Sequence, residues 1–318
     1  MNHSVLFGPV PSRRLGLSLG VDLVPYKTCC LDCVYCESGR TTELTLTRSE
    51  FFPVNEVISE LEAFLSKNPA VDFITFSGAG EPMLYSEIGR VIAFLKGDYP
   101  DFKTCLLTNG MLLTDKNAAS EVIPVDLIVP SLDAPDKETF TKINRPVPGF
   151  EFDRLIPAYR DFHKSSDAGF NLEIFILPGV NDTDECISGF MKAVDFIRPD
   201  KVQLNSLDRP GTEAWVEKMT EEKMLSISEK LAGIADVEII GKFTSASSVK
   251  GNTKEKYENL DSRIMDIITR RPCTIDDIKE SLGFSADSVG KVLRRMRGKG
   301  LVVSEMQARG EFYRPADS

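Results

Sequence analysis

Between residues 15 and 208, short apolar runs rich in β-branched and aromatic residues alternate with amphipathic stretches, and this alternation admits few architectures. The strand candidates are "LGLSLGVDLV" (15–24), "VDFITFSG" (71–78), "FKTCLLTNG" (102–110), "DLIVPSLD" (126–133), "NLEIFILP" (171–178) and "KVQLNSLD" (201–208). Helical patterns lie between them. In "SEFFPVNEVISELEAFLSKN" the residues Val54, Val57, Ile58, Leu61 and Leu65 recur at helical spacing, and "SEIGRVIAFLKG" (86–97) and "CISGFMKAVDFI" (186–197) read the same way. Strands alternating with helices imply right-handed crossovers and a parallel sheet. Active sites in such sheets gather at the C-terminal ends of the strands.

The stretch "YKTCCLDCVYCESGR" concentrates Cys29, Cys30, Cys33 and Cys36, while Cys105, Cys186 and Cys273 are dispersed. The N-terminal "MNHSVLFGPVPSRRLG" has no long apolar run and is broken by Pro9 and Pro11, so no signal peptide is expected. No apolar run approaches the length needed to cross a bilayer, so a cytoplasmic protein without membrane contact is expected. In such a compartment a thiol cluster reads as metal-binding or catalytic. Cys30, Cys33 and Cys36 open a ferredoxin-like run, but Arg40 stands where its fourth thiolate would fall. Cys29, Cys33 and Cys36 give C-x3-C-x2-C, which needs no fourth local partner. Structural zinc would want a second pair of ligands. Three thiolates on a four-iron cluster leave one iron open, and an open iron is a reaction centre. Tyr35, between Cys33 and Cys36, is placed to cover a flat base beside the cluster.

The string "CCLDCVYC" resembles the C-x3-C-x-aromatic-C signature of radical S-adenosylmethionine (radical SAM) enzymes. The resemblance implies an α/β fold, a partial (β/α)6 TIM-like barrel, with a [4Fe-4S] cluster on Cys29, Cys33 and Cys36. It also implies S-adenosylmethionine (SAM) chelated to the open iron. A one-electron reductant such as flavodoxin or ferredoxin would reduce the cluster, which then cleaves SAM to methionine and a 5′-deoxyadenosyl radical that abstracts hydrogen from a substrate.

Three strand ends agree in order. "AGEP" (79–82) is similar to the superfamily's "GGEP", with Ala79 departing at the first glycine; Gly80 and Glu81 would meet the methionine end of SAM. "TNG" (108–110) brings Asn109 as a SAM contact, and "SLD" brings Ser131 near its carboxylate or ribose, with Asp133 one pleat further. "FGPVPSRRLGLSLGVDLVPYKTC", "INRPV" (143–147) and "VQLNSLDRP" (202–210) resemble a subgroup loosely grouped with the tRNA wyosine-base synthases. The second set of cluster cysteines in the wyosine enzymes has no counterpart here. Pleat alternation sets Leu172, Ile174 and Ile176 on one face and Glu173, Phe175 and Leu177 on the other. A buried Glu173 would need a partner such as Arg13, Arg14 or Arg145, and Gln203 and Asn205 alternate toward SAM or substrate.

After the polar "FTSASSVKGNTKEKYENL" the pattern becomes helix, helix, helix, ribbon, similar to a winged helix-turn-helix. Thr274 and Asp277 form a capping-box-like pair. Val289, Val292, Leu293 and Met296 make an apolar stripe, opposite Lys291, Arg294 and Arg295. Residues 261–318 carry +2 and the preceding 260 carry −12, out of a total of −10. The expected organisation is a radical SAM domain over 1–245, a linker over 246–260 and a winged helix over 261–318, the last a docking site for a nucleic acid or protein substrate. Rival readings are a redox-sensing winged-helix regulator and a glycyl-radical activase. A regulator would not need the three strand-end motifs.

Overall fold

The computed structural model describes residues 4–209, 211–240, 260–282, 284–307 and 310–316. The linker expected over 246–260 lies outside them except for Leu260.

The chain opens with β1 (Leu6–Ser12), β2 (Gly16–Val21) and two very short strands, β3 (Thr28–Cys29) and β4 (Glu43–Leu44). Then α1 (Val54–Leu65), β5 (Phe73–Phe76), α2 (Ile88–Asp98), β6 (Lys103–Thr108), α3 (Lys116–Val122) and β7 (Leu127–Pro130) alternate. They are followed by α4 (Lys137–Asn144), α5 (Leu155–Ser165), β8 (Gly169–Phe175), α6 (Asp184–Ile197), β9 (Lys201–Asn205), α7 (Glu221–Ala232) and β10 (Val237–Ile239). Each of the six strand candidates overlaps one strand, β2 and β5 to β9. The sheet order is β1-β2-β5-β6-β7-β8-β9-β10, parallel throughout except for the β1–β2 pair.

The sheet therefore has eight strands rather than six. β1 escapes a period-2 reading because Gly8, Pro9 and Pro11 interrupt it. Proline donates no ladder hydrogen bond and is confined to edges and bulges. β1 is an edge strand whose register slips between Phe7 and Val10.

Both faces of the sheet are filled. Outward-facing Leu19, Ile74, Phe76, Leu106, Ile128, Leu172, Ile174 and Leu204 join the helix residues Val57, Leu61, Val91, Leu155, Phe190 and Val194 in the main core. On the inner face Cys105 and Val129 cluster with Leu15, and Phe175 and Leu177 cluster with Val34 and Ile143. The sheet is strongly curved. Arg14, in the β1–β2 turn, forms an ion pair with Glu173 on β8. Four strand spacings separate β2 from β8, about 19 Å in a flat sheet, beyond the combined reach of the two side chains. Among the described residues no helix is long and apolar enough to cross a membrane.

The C-terminal segment comprises α8 (Leu260–Arg270), α9 (Ile275–Leu282), α10 (Ala286–Gly298) and an antiparallel ribbon of β11 (Val302–Gln307) and β12 (Gly310–Pro315). Ile264, Ile268, Ile278, Val289, Leu293, Met296 and Tyr313 form its own core. The cap of α9 is reciprocal, with Asp277 N donating to Thr274 Oγ1 at 3.2 Å and Thr274 N to the Asp277 carboxylate at 3.0 Å.

Candidate functional site

The thiol loop runs from β3 to β4, whose short parallel pairing closes its base. Cys29, Cys33 and Cys36 are half-buried and Cys30 is fully buried, and all are free thiols. N–H donors from three other places point at the sulfurs. Lys27 Nζ donates to Cys36 Sγ at 3.1 Å. Asn109 Nδ2, after β6, donates to Cys30 Sγ at 3.1 Å and to Cys29 Sγ at 3.6 Å. Asn144 Nδ2, at the end of α4, donates to Cys33 Sγ at 3.4 Å and to the Asp133 carboxylate at 2.7 Å. The loop after β9 clamps the backbone, because Thr212 Oγ1 donates to the carbonyls of Cys33 and Cys36 at 3.2 and 3.1 Å.

Burial pushes the Cys33 thiol well up, and Cys30 likewise. Cys29 is held below its ordinary value by the hydrogen bond from Cys30, against the opposing effect of burial.

The structure brings the expected strand-end residues to this loop, with contacts that the motifs did not disclose. Glu81 is 2% exposed and accepts from Met83 N, Thr108 Oγ1 and Asn109 N at 3.0, 2.7 and 2.8 Å. It thereby ties the second strand end to the third. Burial raises its carboxyl to about 6, although the three donors pull it down. A Cβ on Gly80 would fall 2.1 Å from the Thr28 carbonyl, so the glycine lets β3 pass close by. Ser131 is half-buried, and among the described residues its hydroxyl makes no hydrogen bond; its carbonyl accepts from Tyr159 Oη at 2.6 Å.

Tyr35 stacks on Phe175 with centroids 3.9 Å apart and planes 9° from parallel, so one face of its ring is taken by the protein. Its hydroxyl donates to Asp133. Asp133, 2% exposed, also accepts from Phe175 N at 3.1 Å, and burial raises it to about 6. Of the arginines considered for Glu173, Arg14 is the partner. Gln203 and Asn205 are buried; Gln203 Nε2 donates to Glu238 at 3.4 Å and Asn205 Oδ1 accepts from Ser206 N at 3.0 Å.

Lys27, Asn144, Tyr159 and Thr212 were not singled out from the sequence. Asn144 had a signal, since it lies within "INRPV". A lysine two residues before a thiol cluster was a weaker one.

The radical SAM superfamily model matches residues 23–188, more than half of the chain. The chain belongs to the radical SAM superfamily. It is 30% identical to a UPF0026 protein of Methanocaldococcus jannaschii over 94% of this chain and 92% of that one, and it belongs with that group. It is 33% identical to a protein named GTPase Obg from Brachyspira hyodysenteriae over 95% of this chain, and spans only 44% of that protein's length. A radical SAM methyltransferase from Sphaerobacter thermophilus superposes with a TM-score of 0.55 at 20% identity, covering 70% of this chain and 65% of that one; at that identity the likeness concerns the fold.

As a radical SAM enzyme the chain takes a [4Fe-4S] cluster and SAM as cofactors. The thiol loop fits such a group, because free thiols share one loop and N–H donors, those of Lys27 and Asn144 buried, face their sulfurs. Among the described residues no group of three or more His, Cys, Asp or Glu side chains is arranged to hold a metal ion. A four-iron cluster spreads its thiolates over several irons, so its ligands need not converge on one point.

Proposed function

We propose that Cys29, Cys33 and Cys36 hold the [4Fe-4S] cluster and that SAM lies between the thiol loop and the ends of β5, β6 and β7. The observation that carries this reading is the convergence of Lys27, Asn109 and Asn144, from three separate segments, on the sulfurs of one loop. Once reduced by one electron, such a cluster cleaves SAM to methionine and a 5′-deoxyadenosyl radical for hydrogen abstraction from the substrate. Gly80 keeps β3 against the second strand end, and Glu81 and Asn109 order the turns that would receive the methionine end. Ser131, whose hydroxyl makes no hydrogen bond among the described residues, lies on the same side. Tyr35, fixed by Phe175 and Asp133, walls the loop and presents one remaining ring face to the adenine. Cys30 is a packed neighbour whose thiol meets Asn109. The electron donor is a small one-electron carrier such as flavodoxin or ferredoxin, and the protein works in the cytoplasm.

We read the C-terminal segment, 261–318, as a winged helix behind a linker over 246–260, with the barrel domain over 1–245. Two of the three cations expected on its recognition face are spoken for: Lys291 pairs with Asp287 at 2.6 Å, and Arg295 pairs with Asp261. That favours packing or protein docking over nucleic-acid reading. The test of the catalytic reading is anaerobic reconstitution, with iron and sulfide measured per chain and 5′-deoxyadenosine followed after SAM and dithionite are added. About four irons and slow 5′-deoxyadenosine release support it. An intact cluster with no SAM cleavage would favour a sensor.

A further inference from the structure

We propose that Lys27 supplies the fixed positive charge that stabilises the reduced cluster, making this lysine the residue that sets how readily the site accepts its electron. The inference rests on the cluster assignment above and concerns a residue outside the cysteine motif and the strand-end motifs.

The placement of Lys27 is enforced by the fold. Its backbone sits in the left-handed region at φ +57°, a conformation that a non-glycine residue adopts only when its surroundings impose it. The imposing contacts are visible: the Lys27 carbonyl accepts from the N–H groups of Thr42 and Glu43 at 3.1 and 3.2 Å, across the base of the thiol loop. The side chain then turns inward and is 2% exposed. Among the described residues Nζ has one hydrogen-bond partner, Cys36 Sγ, and no carboxylate within ion-pair distance.

A buried ammonium without a counter-charge is strongly disfavoured. A neutral thiol would not offset that cost, whereas sulfur carrying negative charge would. Cys29 and Cys33 also lie within its electrostatic reach, so the charge acts on all three sulfurs of the proposed ligand set.

The redox consequence follows from charge alone. When bound, the cluster would take one electron from the external one-electron donor with no change in the bonds of Lys27, whose ammonium would be in place beforehand. A fixed positive charge favours the more negative state and so raises the reduction potential of the cluster. The amides of Asn109 and Asn144 act in the same direction but bring only dipoles. Lys27 is thus a positioning and tuning residue, not a catalytic one.

The test uses the full chain, reconstituted anaerobically, as wild type, Lys27→Met and Lys27→Arg, with the cluster followed by electron paramagnetic resonance during a redox titration. Lys27→Met removes the charge at similar length and should leave at least about tenfold less reduced cluster at a fixed poise. Lys27→Arg keeps the charge and should stay within about threefold of wild type. Loss of iron from Lys27→Met but not from Lys27→Arg also supports the role, since the variant that keeps a cationic N–H donor at the sulfur keeps the cluster. A Lys27→Met cluster that titrates like wild type overturns it, and so does loss of iron from both variants, which would reduce Lys27 to a packing residue. A wild-type chain that assembles no cluster would overturn the cluster assignment itself, so the two readings fail by different results.

Discussion

The thiol loop and helix α10 both present cations, and they treat them in opposite ways. Lys27 is 2% exposed, meets no carboxylate among the described residues and points at sulfur, where Asn109 and Asn144 join it from distant segments. Lys291 and Arg295 have side chains 68% and 53% exposed, and each is matched by a carboxylate of its own module. A buried cation without an acid marks a place built for negative charge, because otherwise its desolvation goes uncompensated. An exposed cation beside an acid is ordinary protein surface. The contrast supports the proposal of chemistry at the first region and of packing or docking at the second.

Iron retention should show the contrast at full size. Replacing Cys29, Cys33 or Cys36 with Ala should remove essentially all bound iron, while Cys30→Ala should keep about four irons per chain. Changing Lys291, Arg294 and Arg295 together should leave iron untouched. If Cys30→Ala lost the cluster and Cys29→Ala kept it, the ligand set would be the ferredoxin-like triplet instead.

The two regions also meet, and the junction offers the next largest effect. Arg209, 7% exposed, lies between Glu37, the residue after Cys36, at 3.2 Å and Asp277 of α9 at 3.5 Å. Glu37 is held below its ordinary carboxyl value by Arg209 and Arg13, against the opposing effect of burial. Arg209→Met would take the shared guanidinium away from two largely buried carboxylates, at a cost of about 3 kcal/mol. Urea unfolding of the cluster-free chain measures it. A loss below about 1 kcal/mol would mean that the thiol loop and the C-terminal segment are independent.

How much of this was legible depended on range along the chain. The six central strands were readable because burial on both faces leaves near-continuous apolar runs such as Phe73–Phe76. β1 was hidden by the prolines that suit it to an edge. The cysteine spacing is local and was readable, and so was the capping pair of Thr274 and Asp277. What Lys27 does was not, because it depends on a left-handed backbone imposed by Thr42 and Glu43 on the far side of the loop. Tyr35 was expected to cover a base with its ring. The end of β8 places Phe175 against one face of that ring, a contact between residues 140 positions apart that no spacing rule reveals.

Buried carboxylates sharpen the comparison through pH. Asp133 and Glu81 are both raised to about 6 by burial, from ordinary values near 4, so the folded chain holds these protons to higher pH than the unfolded chain does. Stability from these groups is therefore greatest at low pH and falls as pH rises from about 4 to about 6. Between pH 4 and pH 7 the stability of Asp133→Asn relative to wild type should improve by about 2 kcal/mol in cluster-free protein. An unchanged difference across that window would show that Asp133 titrates normally. No such pH-dependent gain is expected for Asp287→Asn on α10. Asp287 lies below its ordinary value through its hydrogen bond to Lys291, so its contribution is lost as pH falls and is absent only under acidic conditions.

The smallest effect is expected from the basic face itself. Changing Lys291, Arg294 and Arg295 to Ala leaves Val289, Val292, Leu293 and Met296 buried in their core, so the helix keeps the packing that holds it. The ion pairs lost are exposed and should shift the melting temperature by no more than about 2 °C. Because Asp287 and Asp261 already occupy Lys291 and Arg295, tRNA and duplex DNA should bind the full chain more weakly than about micromolar at moderate salt. The triple variant should differ little from wild type. Nucleic-acid contacts through phosphate weaken steeply with salt, and each contact removed lowers the slope by about one. Tight binding that falls with salt and disappears in the triple variant would show that the acids yield their cations to phosphate. The α10 face would then be a reader in its own right, and its contrast with the thiol loop would no longer hold.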